Sequence, residues 1–336
     1  MSVRFAAIGL NHDHIYRQVD LLRQNGGELA GFYAIEPELC AQFVKHFPGA
    51  KLARSADELL EDKTIQVITG AGIPNERAAL AVKAMRCGKD VFTDKPGFTT
   101  LEQLAEVRRV QAETKQIYSI FYGRLDSPGS TRLGELVTAG AIGRVVQLIG
   151  LGPHRANLPQ RPAWFVKRQQ YGGILCDIAS HDFDAFLFYT GSQTGDVVAS
   201  QVANYNNPEH PGLEDFGDAT VRSAQATGYI RVDWFTPKGL NTFGDGRLIL
   251  LGTEGFIEVR QCTDLAGRPG GDHIFLTDHK GTQYIDAKGT PVPFGRLFME
   301  DIKNRTSTAQ DQALCFAAAE LSLRAQAQAQ RLGNLK

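Results

Sequence analysis

An α/β unit built on a doubly wound parallel sheet, followed by an α+β unit with an open, mostly antiparallel sheet, is the fold class this sequence predicts. Three observations carry it. In the first third, short apolar runs alternate with helical patterns, the mark of βαβ units and a parallel sheet. From about residue 196 to 260 the pattern turns strand-like, and residues 228–235 put Ile230, Val232 and Trp234 on one face, as a sheet covered on one side requires. The 336 residues exceed one ordinary small domain, so two are expected, 1–122 and 123–336.

The elements follow in order. Residues 3–8 are an apolar run ending at Gly9, the expected first strand, and 15–23 follow as a helix. Residues 29–34 are the second strand, with 37–47 helical behind it. A third strand at 66–69 precedes an Ala- and Leu-rich helix over 75–87 that Gly88 caps. Strand 90–92, helix 101–115 and strand 117–121 complete the first domain. Beyond it come a helix at 132–139, a strand over 143–150, and a loop rich in Pro, Arg and Trp over 152–171. A helix is expected from about 178 to 189, and the tail 311–331 is an Ala- and Gln-rich helix without a heptad pattern.

Composition excludes several classes of function. A net charge of −1 with scattered basic residues gives no footprint for a nucleic acid or a membrane surface. No stretch approaches the roughly 18 apolar residues that span a bilayer. Cys40, Cys87, Cys176, Cys262 and Cys315 form no CxxC pair, so neither a zinc knuckle nor a disulfide framework is expected. With no apolar leader after Met1, a cytoplasmic location is expected.

The first βα turn, Gly9-Leu10-Asn11-His12-Asp13-His14, stands where doubly wound folds hold a dinucleotide pyrophosphate on a glycine-rich loop. Asn11 and His14 replace the second and third glycines, and Asn tolerates a left-handed backbone, so the turn can form. His12, Asp13 and His14 are of metal-ligand type, but no second cluster completes a zinc set. No metal is expected; polar helix-start residues, or contacts to cofactor phosphate or substrate, are the readings that stand. The second strand ends at Ala34 with Glu36 two residues on. Glu36 either grips an adenosine ribose or opens an acidic helix start.

Lys95 directly follows a strand, at the end where ligands bind, and Pro96 stiffens the turn and permits a cis bond. An exposed loop lysine is the plainer alternative. Asp177 and His181 are four apart, so a single helix would set both on one face. A carboxylate beside an imidazole is poised for proton transfer near neutral pH; a helix cap and a buried histidine are the alternative.

Together these segments resemble the Gfo/Idh/MocA family, the glucose–fructose oxidoreductase and inositol dehydrogenase-like enzymes, over essentially the whole chain. Gly88-Lys89-Asp90-Val91, leading to Asp94-Lys95-Pro96, is similar to the family's Gly-Lys-x-Val…Glu-Lys-Pro, with Asp94 for its glutamate. The segment from Gly172 to His181 resembles its glycine-rich lead into Asp-x-x-x-His. Gly140-Ala141-Ile142-Gly143 and Gly252-Thr253-Glu254-Gly255 match its recurring glycine turns.

The resemblance implies an N-terminal Rossmann-type dinucleotide-binding domain and a C-terminal domain for substrate binding and oligomerisation. It implies NAD or NADP as cofactor, a small carbohydrate as substrate, and a homodimer or homotetramer. Lys95, Asp177 and His181 map onto the catalytic residues, for reversible hydride transfer between a sugar, polyol or sugar-acid hydroxyl and nicotinamide. His181 would be the acid/base, Lys95 would orient the hydroxyl and ease alkoxide charge, and Asp177 would position substrate or histidine. Gly9, Asn11, His12, His14, Glu36, Pro74, Asn75, Asp94 and Lys95 fall on the cofactor side, where Arg77 stands near a usual histidine. Tyr122, Arg124, His154, Arg155 and Trp164 join Asp177 and His181 as substrate-binding candidates. Two further readings stand: a lyase or glycosidase using tightly bound NAD for transient oxidation, and a non-catalytic ligand sensor.

Overall fold

Val3, Phe5, Ala6, Ala7 and Ile8 are all buried, so β1 (Val3–Ile8) has no solvent face and must lie in a sheet covered on both sides. In the computed structural model, which describes residues 2–335, β1 pairs in parallel with β2 (Gly27–Tyr33) and β3 (Val67–Gly70). With β4 (Asp90–Asp94) and β5 (Tyr118–Phe121) they form a parallel sheet of order β2-β1-β3-β4-β5. The connections are α1 (His14–Gln24), α2 (Pro37–His46), α3 (Ala56–Glu61), α4 (Pro74–Arg86) and α5 (Leu101–Thr114). The chain reverses its direction of travel across the sheet between β1 and β3. Loops at the carboxyl ends part there, which is where this topology binds ligands.

The chain divides into two compact units, Met1–Phe121 with Pro293–Phe316, and Tyr122–Val292 with Ala317–Lys336. Against the expected division into 1–122 and 123–336, residues 293–316 fall in the first unit and Tyr122 in the second. The cause is α10 (Phe294–Asn304), whose Phe294 and Phe298 rings lie 5.5 and 5.3 Å from Phe92. Beyond it, Arg305 pairs with Asp90 at 2.6 Å, and two glutamines finish the edge of β5. Gln312 bonds both the amide and the carbonyl of Tyr118 (2.9 and 2.9 Å), and Gln310 does the same for Ile120 (3.1 and 3.2 Å). A sheet edge that would otherwise leave backbone groups unpaired is thereby satisfied by side-chain amides.

The second unit carries α6 (Pro128–Thr138), β6 (Val145–Pro153), α7 (Arg168–Tyr171), α8 (Ile174–Asp177) and α9 (Ser180–Thr190). Strands β7 (Asp196–Asn204), β8 (Phe216–Arg222), β9 (Thr227–Asp233), β10 (Arg247–Gly252) and β11 (Gly255–Arg260) follow. Then come β12 (His273–Asp278), β13 (Gly281–Asp286), the end of α11 (Gln312–Gln328), and β14 (Gln330–Gly333). They build a nine-stranded sheet, β13-β12-β11-β10-β6-β9-β8-β7-β14. Only the β6–β9 and β14–β7 pairs are parallel, so the expected mostly antiparallel sheet is what forms. Among the described residues no helix is long and apolar enough to cross a membrane.

The helix expected from about 178 to 189 forms as α9, but it does not extend back to Asp177. α8 stops at Asp177 and α9 begins at Ser180. Ser180 Oγ donates to the Asp177 carbonyl at 3.1 Å, and the His181 amide turns to Ile178 O at 3.4 Å. Asp177 and His181 thus sit on two helices rather than on one face of one.

Candidate active site

In the first unit the turn after β1 depends on Gly9. Its φ is +81°, open to glycine at no steric cost, and a Cβ there would come within 2.9 Å of Gly72 Cα in the loop after β3. The His12 amide donates to Ala71 O at 2.9 Å, tying the two loops together. Asn11 departs from expectation: it is absent from the left-handed residues and contributes its side chain instead. Asn11 Nδ2 donates to Glu36 Oε1 at 2.6 Å. Glu36 makes no side-chain cap bond to α2. It is still the residue that opens α2, but its carboxylate is turned toward the β1 turn. Gly9, Asn11, Tyr33, Ala34, Glu36 and Gly72 help to line a cavity of about 200 Å³.

Asp94, at the end of β4, is fully buried. His14 Nδ1 lies 2.8 Å from one carboxylate oxygen; Arg77 Nη2 and His12 Nδ1 lie 3.1 and 3.8 Å from the other. Burial alone would raise its pKa, but the charges of His14, Arg77 and His12 hold it well below the usual carboxylate range. His12 is driven the other way: burial, then the neighbouring His14, keeps its pKa well below that of an ordinary histidine. The His14 amide donates to His12 Nδ1 at 3.2 Å. His12, His14 and Asp94 offer ligand-type atoms within 4.8 Å of one another, yet the carboxylate already has Arg77 and His14 as partners.

Arg77 is the residue the sequence undervalued. It is 3% exposed. Its Nε donates to Gly72 O at 2.7 Å, and its Nη1 donates to Lys95 O and Pro96 O at 2.5 and 3.2 Å. One guanidinium thus fixes the loop after β3, the Asp94 carboxylate and the cis Lys95–Pro96 turn, using the fork geometry that sets Arg apart from Lys. Lys95 is 4% exposed rather than free on a loop. Pro74 opens α4 at its first turn, and the Asn75 carbonyl accepts from Gln103 Nε2 at 2.9 Å. Asn75 Oδ1 is buried with no hydrogen-bond partner.

In the second unit Gly172 and Gly173 have φ of +90° and +96°, and a Cβ on Gly173 would sit 2.3 Å from Gln326. That glycine pair lets the chain turn into α8 against a buried polar cluster. Glu214 accepts from the Ile174 amide (2.8 Å) and Arg168 Nε (3.0 Å), while Gln326 accepts from the Leu175 amide (2.9 Å) and donates to Glu214. Asp177 closes the short helix and is 7% exposed.

His181 receives the Gly123 amide on Nδ1 at 2.9 Å. An N–H can only donate, so Nδ1 is an acceptor and the neutral ring carries its proton on Nε2. Tyr122, 1% exposed, stands edge-on to the imidazole with centroids 6.2 Å apart. His181, His154, Arg124 and Asp182 all line a cavity of about 420 Å³, large enough for a small sugar or polyol.

The remaining candidates divide. Arg124 is bonded by Asp184 at 2.7 and 3.1 Å and lies 3.8 Å over the Phe188 ring, so its charge is matched within the protein. His154 donates from Nδ1 to Gly152 O at 2.9 Å. Arg155 and Trp164 do not line this cavity. Arg155 Nη2 serves the carbonyls of Pro237, Leu240 and Thr242, and Trp164 is 7% exposed against Phe165 rather than an open platform. Asp182, which sequence reasoning passed over, faces the cavity, and burial pushes its carboxyl up to about 7.

Comparison with known proteins follows the same division of the chain. Residues 3–122 match an oxidoreductase family with an NAD-binding Rossmann fold, and residues 131–258 match the GFO/IDH/MocA C-terminal domain. A crystal structure of a protein from Erwinia carotovora atroseptica SCRI1043 superposes with a TM-score of 0.96 at 45% identity, covering 98% of this chain and 100% of that one. The scyllo-inositol 2-dehydrogenase (NAD(+)) of Bacillus subtilis (strain 168) is 24% identical over 84% of this chain and 79% of its own length. The D-xylose dehydrogenase of Paenarthrobacter nicotinovorans is 28% identical over 50% of this chain, and the match spans only 47% of that protein.

Proposed function

Because the chain belongs to the Gfo/Idh/MocA oxidoreductase family, we propose that it transfers hydride between a hydroxyl of a sugar or polyol and NAD. The relatives named for D-xylose and inositol dehydrogenation support that substrate class. The observation that carries the cofactor half is Glu36, held by Asn11 at 2.6 Å on the wall of the first unit's cavity. A carboxylate there accepts from a ribose diol and repels a 2′-phosphate. The residues present fit a dinucleotide: Gly9 gives the tight turn, α1 offers its N-terminus to phosphate, and Glu36 stands in for the displaced second-strand acid.

Bound nicotinamide would supply the hydride chemistry, and the rest falls to this chain. Lys95, whose carbonyl Arg77 clamps, would orient the hydroxyl and stabilise developing alkoxide charge. His181 would offer its Nε2 proton to a hydroxyl of a substrate held in the second unit's cavity, and Asp177 would position substrate. For His181 to relay a proton as acid/base it must release the Gly123 amide from Nδ1, so the role expected from sequence carries a conformational step. The neighbouring Leu251 and Phe256 on β10 and β11, each 44% exposed, support a homo-oligomer formed through the open sheet.

Fluorescence titration of the purified protein with NADH and NADPH tests this reading. NADH is expected to bind at least tenfold more tightly, and Glu36→Gln to narrow that gap. Failure of both nucleotides to bind would favour the ligand-sensor reading.

A further inference from the structure

Asp182 is a cavity residue that hydride transfer leaves unused. It follows His181 in the first turn of α9 and lines the same cavity of the second unit. Its carboxyl faces β6, where a Cβ on Gly150 would lie 2.6 Å from Oδ1 and 2.8 Å from Cγ, and one on Gly152 would lie 3.6 Å from Oδ2. Any side chain at 150 would displace it, so Gly150-Leu151-Gly152 acts as a seat for this acid. No described residue hydrogen-bonds or ion-pairs with the carboxyl, and burial is the sole influence raising its pKa.

The charged groups around it do not compensate. On the turn Gly123–Asp126, Arg124 is engaged by Asp184 and Phe188. On β10, Arg247 is paired with Asp245 at 3.3 Å. His154, at the start of the loop after β6, bonds Gly152 O, and Asp272 accepts from the Gly129 amide at 3.0 Å. Asp126 adds a third carboxyl to the lining. Both arginines are thus matched by acids of the protein, while Asp182 has no partner. An acid left unsatisfied beside a cavity costs folding free energy unless a ligand satisfies it. A hydroxyl does so, whereas a carboxylate would meet like charge.

We propose that Asp182 is a ligand-binding carboxyl that accepts hydroxyl hydrogen bonds from a neutral polyhydroxy compound in this cavity and rejects compounds of similar size that carry a carboxylate. The proposal takes its ligand class from the carbohydrate reading above but does not depend on hydride transfer.

Calorimetric titration of the full chain, with saturating NAD, compares myo-inositol, D-xylose and D-glucose with D-glucuronate at pH 8 and pH 6. At pH 8 the best neutral probe is expected to bind at least tenfold more tightly than D-glucuronate. That preference should shrink at pH 6 as Asp182 takes up its proton. Asp182→Asn should weaken the best neutral probe at least tenfold and close the gap to D-glucuronate. The proposal is overturned if no neutral probe binds, if D-glucuronate binds as tightly as the best of them, or if the preference is unchanged between the two pH values. It is equally overturned if Asp182→Asn binds as the wild type does. Asp182-dependent binding without any nicotinamide reduction would remove the hydride-transfer reading and leave this one standing.

Discussion

Leucine in place of Arg77 is expected to cost about 3–5 kcal/mol of folding stability, the scale for removing one partner of a buried charge pair. Arg77 is 3% exposed and serves Gly72 O, Lys95 O, Pro96 O and the Asp94 carboxylate together. Without it Asp94 keeps only histidine partners, and each abandoned carbonyl adds a desolvation cost of about 1–3 kcal/mol if water does not reach it. Arg77→Lys should recover only part of the loss, because one ammonium cannot span those acceptors. Denaturant unfolding followed by far-ultraviolet circular dichroism measures both variants. A loss below about 1 kcal/mol for Arg77→Leu would mean that the loops after β3 and β4 are held by something else.

The second large effect is on turnover. His181→Ala is expected to lower kcat by about 10²–10⁴, the range for removing a positioned proton donor or acceptor, while cofactor affinity stays within about twofold. His181 lines the second unit's cavity, whereas the Gly9 turn and Glu36 belong to the first unit. Steady-state kinetics beside a nucleotide titration makes the comparison. Equal losses of turnover and cofactor affinity would make His181 a structural residue.

Legibility in the sequence followed physical cause. β1 was plain because a run buried on both faces is apolar at nearly every position. β13 was not, since Gly-Thr-Gln-Tyr-Ile-Asp at an exposed edge carries little alternation. α10 is not among the expected elements, although its buried Phe294, Phe298 and Ile302 follow helical spacing. That it belongs with the first unit was not readable, because the link runs through Phe92, Asp90 and the amides of Gln310 and Gln312, distant in sequence.

The site was legible to a similar degree. Motif order singles out Lys95 and His181 as proposed site residues, but it does not show the partners that hold them. In sequence Arg77 stands only near a usual histidine and Asn11 in place of a glycine; their acceptors, Lys95 O and Glu36, are set by the fold. For Arg155 and Trp164 residue type alone points to ligand contact, whereas Arg155 is bonded to loop carbonyls and Trp164 is buried. Asp182 could have been suspected from Gly150-Leu151-Gly152, since two glycines two apart in a strand often mark a close approach.

The central claim is that a carbohydrate hydroxyl is oxidised with net reduction of the nicotinamide. Nicotinamide absorbance, followed while the enzyme and NAD or NADP meet a panel of neutral sugars and polyols, tests it directly. The account predicts that NADH accumulates in step with a carbonyl product for at least one member of the panel, and does so faster than NADPH. Consumption of a substrate with no net change in cofactor would contradict it, and would point instead to transient oxidation within a lyase or glycosidase reaction.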